Sequence, residues 1–200
     1  MAKKTTTKKI PPGRVKIVRA LKTLLGKKDF NSITTAEIAK TAGVTEGLIY
    51  KYFADKRDLL FKVLLELFEQ FLLQMKTDLD GVNGSLNKLR SIMQTTLAWY
   101  DQQRVFTRIL LVEVRNSPDF FKSDAYQQCV REYSRIIMEI IHEGMARGEI
   151  RNDIRPSVIR QVIQGSIEHV CLPAIIFHRE IAVKQATEDL CRTIFMGIQQ

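Results

Sequence analysis

Residues 34–60 read TTAEIAKTAGVTEGLIYKYFADKRDLL, and the fold turns on how this stretch is parsed. Thr34 followed three positions later by Glu37 is a capping box, in which hydroxyl and carboxylate each satisfy a backbone donor left over at a helix start. Ile33 and Ile38 flank it as a hydrophobic staple, so a helix begins at Thr34 or Thr35. It is short, because Gly43 suits the left-handed conformation that ends a helix. Thr45 can cap a second short helix, with Val44 and Ile49 as its staple. Two short helices about a turn at Gly43, with small Ala39 at their crossing and Ile38, Ala42, Val44 and Ile49 inward, make a helix-turn-helix. An αα-corner in an ordinary core fits the same pattern.

Three details favour nucleic acid over the plain corner. Gly47 sits inside the second helix, where glycine costs about 1 kcal/mol relative to alanine, a loss that makes sense if another backbone approaches closely. The outward positions of that helix are Thr45, Glu46, Leu48, Tyr50 and Lys51. Tyr50 and Lys51 suit phosphates, and an exposed Leu48 suits a thymine methyl. Lys56 follows an Asp55 cap at the first turn of the next helix, where a cation opposes the helix dipole unless a phosphate is bound there too.

Charge distribution points the same way. Residues 1–57 hold 14 Lys/Arg and 4 Asp/Glu, whereas residues 58–200 hold 17 and 18. The whole excess of positive charge lies in the first quarter of the chain, as expected for a polyanion-binding module joined to a neutral one. A solvated basic tail accounts for only part of it, since residues 10–57 alone remain at +6.

The remaining chain reads as helical, with no sustained period-2 alternation. A first helix follows Pro11-Pro12-Gly13 and ends near Gly26. A long helix over about 56–80 carries Leu60, Leu64, Leu67, Phe71 and Met75 on one side and Phe61, Phe68 and Leu72 on the other, which predicts burial between layers. Further helices are expected at about 85–103, 105–115, 124–147, 156–178 and 182–198. The three cysteines, without a CxxC pair, read as reduced thiols. No apolar run approaches the length of about 18 residues that spans a membrane. No secretory h-region follows the charged start, so a cytoplasmic protein is expected. No metal-ligand spacing, nucleophile elbow or phosphate loop is present, so neither enzyme activity nor a cofactor is expected.

The stretch 34–60 resembles the DNA-binding domain of the TetR family of bacterial transcriptional regulators. The likeness is carried by the Thr34-Thr35 entry, "IA" before "AGV", Gly47, "IYKYF" and Lys56, with weaker similarity back to about residue 14. The chain departs from the family at Asp29, where Gly is frequent, and at Arg57, where Glu is frequent. The resemblance implies an all-α fold, with an N-terminal three-helix helix-turn-helix domain followed by a larger helical ligand-sensing and dimerisation domain. The segments are a basic tail (1–12), the DNA-binding domain (13–55) and the ligand-binding and dimerisation domain (56–200).

The resemblance further implies a repressor that leaves double-stranded operator DNA on binding a small apolar or amphipathic effector, a fatty acyl thioester being one candidate. A constitutive DNA-binding or architectural protein is the alternative. The DNA-contacting set is Thr34, Thr35, Thr45, Glu46, Gly47, Leu48, Tyr50, Lys51, Tyr52 and Lys56, with Tyr50 and Lys56 on phosphates. An effector pocket is expected among Leu64, Phe68, Phe71, Leu72, Trp99, Tyr100, Phe106, Ile109, Leu110, Glu113 and Tyr133. A homodimer also follows from the two half-sites that a helix-turn-helix needs for specificity. Its interface is expected at Val158, Val162, Gly165, Ile167, Val170 and Ile175 on one helix and Leu190, Ile194 and Ile198 on the last.

Overall fold

The computed structural model describes residues 11–114 and 117–199, so most of the expected basic tail (1–12) lies outside the described residues. The helices are α1 (Pro12–Leu25), α2 (Thr35–Ala42), α3 (Glu46–Tyr52), α4 (Lys56–Leu79) and α5 (Ser85–Gln102). After them come α6 (Arg104–Arg108), α7 (Pro118–Lys122), α8 (Asp124–Ala146), α9 (Pro156–Ile176) and α10 (Val183–Ile198). Among the described residues the only β pairing is an isolated bridge between Ile150 and Gln199. The chain divides into two units, Met1–Leu64 and Leu65–Gln200.

In the first unit, α1 packs on α2 and α3. Ile17, Leu21, Ile38, Ile49 and Phe53 are buried at its centre. The helix boundaries follow the caps. Thr34 Oγ1 accepts the Glu37 N–H at 3.2 Å, and Gly43 ends α2 at φ 63°. The Glu37 carboxyl is held below its ordinary pKa, first by its hydrogen bond to Lys28 and also by the Thr34 amide, so the box is closed from both sides. Asp55 caps α4 through a 2.8 Å bond from the Asp58 N–H. Asp58 in turn accepts from the Ala54 N–H at 2.8 Å and from Lys62 at 2.7 Å. Thr45 differs from expectation: it occupies the cap position of α3 without a side-chain bond.

In the second unit, α5 packs on α8, α9 and α10, and α9 on α8 and α10. The core between them includes Leu89, Ile92, Leu97, Ile137, Ile141 and Ile163. Glu149, beyond the end of α8, accepts the Ser85 N–H at 2.5 Å and so serves as a cap for α5 from 64 residues away. Asp101 and Arg104 pin the α9–α10 turn: Asp101 accepts the Ile181 N–H at 3.2 Å, and Arg104 donates to the Ala174 carbonyl at 3.1 Å and to the Arg179 carbonyl.

Three expectations are corrected. α4 is not covered all round: Glu69, Gln70, Leu73, Gln74 and Thr77 are exposed, because its apolar residues form one broad stripe with Phe61 and Phe68 half-buried at the margins. The helix expected over 105–115 is α6 followed by a π-helical turn, Ile109–Glu113, closed by the Val114 N–H on the Ile109 carbonyl. Between the helices expected at 105–115 and 124–147 the chain forms an additional short helix, α7, started by Pro118.

Candidate DNA-contacting face and effector cavity

The N-terminal ends of α2 and α3 are joined by a chain of side chains. Thr35 Oγ1 donates to Glu46 Oε2 at 3.0 Å, and Tyr50 Oη donates to Thr35 Oγ1 at 3.4 Å. Thr34, Thr45, Glu46, Gly47, Tyr50 and Lys51 are exposed, Thr35 and Tyr52 half-buried, and Tyr50 keeps 54% of its surface. A Cβ placed on Gly47 would meet nothing within 4 Å. The packing of the first unit therefore gives no reason for glycine there.

Two of the expected DNA contacts have a different role in this structure. Lys56 Nζ donates to the carbonyls of Ile33 (2.6 Å), Phe30 (3.0 Å) and Asn31 (3.4 Å) and sits 4.5 Å from the Phe30 ring centre. An ammonium has three donors, and all three are engaged by the carbonyls of the 3₁₀ turn Phe30–Ser32 and its cap residue Ile33. Burial, then the neighbouring Arg57 charge, lowers the Lys56 pKa. Leu48 is half-buried rather than exposed: a Cβ on Gly13 of α1 would come within 2.9 Å of its Cδ2. Its side chain thus leans on α1 instead of pointing outward for a thymine methyl.

The second unit holds a cavity of about 240 Å³. Of the expected pocket residues it gathers Phe68, Tyr100, Leu110 and Tyr133. Leu64 is buried in the first unit and Leu72 in the second unit's core. Phe71 stands behind the wall, its ring 5.6 Å from Phe68 and Tyr133 and 5.7 Å from Trp99. Trp99, Phe106, Ile109 and Glu113 do not line the cavity, whereas Leu111, beside the expected Leu110 in the π turn, does. Phe121 and Tyr126 from α7 and α8 also line it; sequence reasoning missed Val130 from α8, and Arg160, Gln164 and Glu168 from α9. The i, i+4, i+8 spacing of the last three was the signal available. Thr96 Oγ1 and Tyr133 Oη are 3.3 Å apart, and burial holds both Tyr133, pushed up to about 12, and Tyr100 protonated.

The proposed dimer helices are split by the same periodicity. Ile159, Ile163, Ile167, Cys171 and Ile175 form a buried i, i+4 row on α9, and Ile194 and Ile198 are buried on α10. Ile167, Ile175, Ile194 and Ile198 therefore belong to the interior of the monomer, Ile167 facing the cavity. Val162, Gly165 and Val170 are exposed, and Val158 and Leu190 half-buried. Ile176, Phe177 and Met196 add exposed apolar surface, at 48%, 64% and 81%. Gly165 and Gly197 carry no neighbour within 4 Å of a Cβ.

A two-unit helical chain with a basic helix-turn-helix and a cavity-bearing bundle is the architecture of a one-component regulator. Residues 17–63 match the family described as bacterial regulatory proteins, tetR family, and residues 64–196 match the YsiA-like protein C-terminal region. The chain belongs to the tetR family of bacterial transcriptional regulators, in the branch with that C-terminal region. It is 26% identical over 187 residues to the fatty acid metabolism regulator protein of Bacillus subtilis, covering 94% of this chain and 96% of the relative. It is 27% identical over 157 residues to the nucleoid occlusion factor SlmA of Vibrio cholerae, covering 78% and 80%. Its fold matches that of the regulator FadR from Bacillus subtilis in complex with stearoyl-CoA, with a TM-score of 0.82, 22% identity and coverage of 92% and 99%. Among the described residues no helix is long and apolar enough to cross a membrane.

Proposed function

We propose that this regulator acts in the cytoplasm as a homodimer that grips operator DNA through Thr34, Thr35, Thr45, Glu46, Gly47, Tyr50, Lys51 and Tyr52, and is released by an acyl thioester entering the second-unit cavity. It works by binding alone and carries out no turnover. The carrying observation is Gly47, a helical glycine with open space above it on the exposed face of a strongly basic unit. Tyr50 and Lys51 position the protein on phosphates. Glu46, which a phosphate would repel, is suited to an exocyclic amino group on a base edge. Two copies joined through the exposed faces of α9 and α10, including Val162, Gly165, Val170 and Leu190, supply the second half-site.

The effector assignment draws on the Bacillus subtilis relatives, one named for fatty acid metabolism and one crystallised with stearoyl-CoA. α4 runs unbroken from the first unit into the second and is the natural carrier of coupling. A hundredfold release requires the effector to prefer the DNA-incompetent form by about 2.7 kcal/mol, and DNA weakens the effector by the same factor. The Vibrio cholerae relative favours a second reading, a DNA-bound factor without an effector.

Binding to a duplex selected from a random library tests the first part: affinity falls about 10³–10⁵-fold between 50 and 200 mM salt for a dimer making 6–10 phosphate contacts. Reciprocal titration of acyl thioester and duplex tests the second. Salt-independent binding rejects the DNA face, and thioester affinity unchanged by saturating duplex leaves the effector-free reading standing.

A further inference from the structure

The cavity in the second unit is apolar and aromatic over most of its surface, through Phe68, Leu110, Phe121, Tyr126 and Tyr133, yet one wall is a polar row. Arg160, Gln164 and Glu168 lie one turn apart on α9, so the row spans about 12 Å at 1.5 Å per residue. Arg160 Nη1 donates to Gln164 Oε1, which leaves the Gln164 amide its N–H donors to offer. At the other end Glu168 already has a partner within the protein, and an ionised carboxylate, with about four lone-pair sites, can accept more than one hydrogen bond. The wall therefore runs from a cation, through a donor, to a carboxylate.

An unbranched saturated chain laid along this wall would strip water from the row and return no hydrogen bond, and a site built for polar groups rejects ligands that lack them.

We propose that the buried part of the effector is a compact, ring-bearing acyl group with a hydrogen-bond donor, such as a hydroxyl, placed against Glu168, rather than a long unbranched chain. The ring stacks against the aromatic wall, and the thioester carbonyl lies toward Gln164 and Arg160. The proposal rests on the reading that acyl thioesters are the effectors of this cavity.

Three probes decide it with the full-length protein: stearoyl-CoA, 3-phenylpropanoyl-CoA and 3-(4-hydroxyphenyl)propanoyl-CoA, each titrated by calorimetry and in release of the selected duplex. The hydroxyphenyl thioester is expected to bind at least tenfold tighter than the phenyl one, with stearoyl-CoA weakest. Glu168→Leu removes the hydroxyl advantage, so that the two aryl thioesters bind alike. Glu168→Gln, which keeps an acceptor and the side-chain shape, reduces the advantage to a few-fold and serves if the leucine variant does not fold. Tightest binding by stearoyl-CoA, or equal binding of the two aryl probes, overturns the proposal and leaves thioester responsiveness standing. Failure of all three to bind overturns both.

Discussion

Gly144 in α8 and Gly47 in α3 are both helical glycines, one in each unit, and their surroundings are opposite. A Cβ on Gly144 would lie 2.6 Å from Ile150 Cδ1 and 2.8 Å from Ser85 Cβ, whereas a Cβ on Gly47 would touch nothing. Interior packing of the second unit demands the first glycine. Nothing within the first unit demands the second, although it costs helix stability. A residue the fold does not require is explained by something outside it. Gly165 and Gly197, on the exposed sides of α9 and α10, are open in the same way and lie on the surfaces proposed for a second copy.

The largest effect that can break this comparison is Gly144→Ala. Alanine is the better helix former, but overpacking a tight site costs about 1–3 kcal/mol. The Ser85 Cβ cannot swing away as a side-chain tip could, and Ser85 is also held by Glu149. Urea denaturation should show a net loss, with the operator profile of the folded protein unchanged. A stabilised Gly144→Ala would mean that the seam between the end of α8 and the start of α5 is looser than described.

Lys56→Met sharpens the first unit's side of the comparison. Methionine keeps the apolar stem but leaves the Phe30, Asn31 and Ile33 carbonyls without their shared donor. A hydrogen bond to a charged group is worth about 1.5–3 kcal/mol, but Lys56 is only half-buried and water can replace it at the freed carbonyls, so a loss of about 1 kcal/mol is expected by denaturation. The slope of binding against log salt should stay the same. A phosphate-contacting lysine predicts the reverse pattern, with stability kept and the slope reduced by about 1.

The two units also differ in how far the sequence alone reveals them. Caps act within three or four residues, so Thr34–Glu37, Gly43 and Asp55 could be read directly, and with them the edges of α2 and α4. The carbonyl partners of Lys56 could not be read, because they lie 23–26 residues upstream around a 3₁₀ turn that leaves no pattern in the sequence. The cavity draws on α4, α5, α7, α8, α9 and the π turn, and no local rule brings those together. The π turn adds a residue to one helical turn and rotates the side chains after it, so Leu111 joins the expected Leu110 at the cavity while Glu113 does not. On α9 the apolar residues form an inner row and an outer row, and a list of hydrophobic positions merges the two. Arg160, Gln164 and Glu168 were visible as a row, but polar residues at helical spacing are the ordinary sign of a wet face.

The smallest expected effect on stability is also the most diagnostic. Gly47→Ala adds a methyl to an exposed helical position with open space around it, and alanine is favoured there by at most about 1 kcal/mol. The folded protein should therefore be unchanged or slightly more stable. Operator affinity should fall nonetheless, because the methyl occupies the space through which α3 approaches the groove. Thermal denaturation and a binding isotherm on the same sample separate the two quantities, and they are expected to move in opposite directions. If both rise together, Gly47 is not at the interface and α3 meets DNA through another edge. If both fall, the open space above Gly47 is filled in solution, and the contrast with Gly144 disappears.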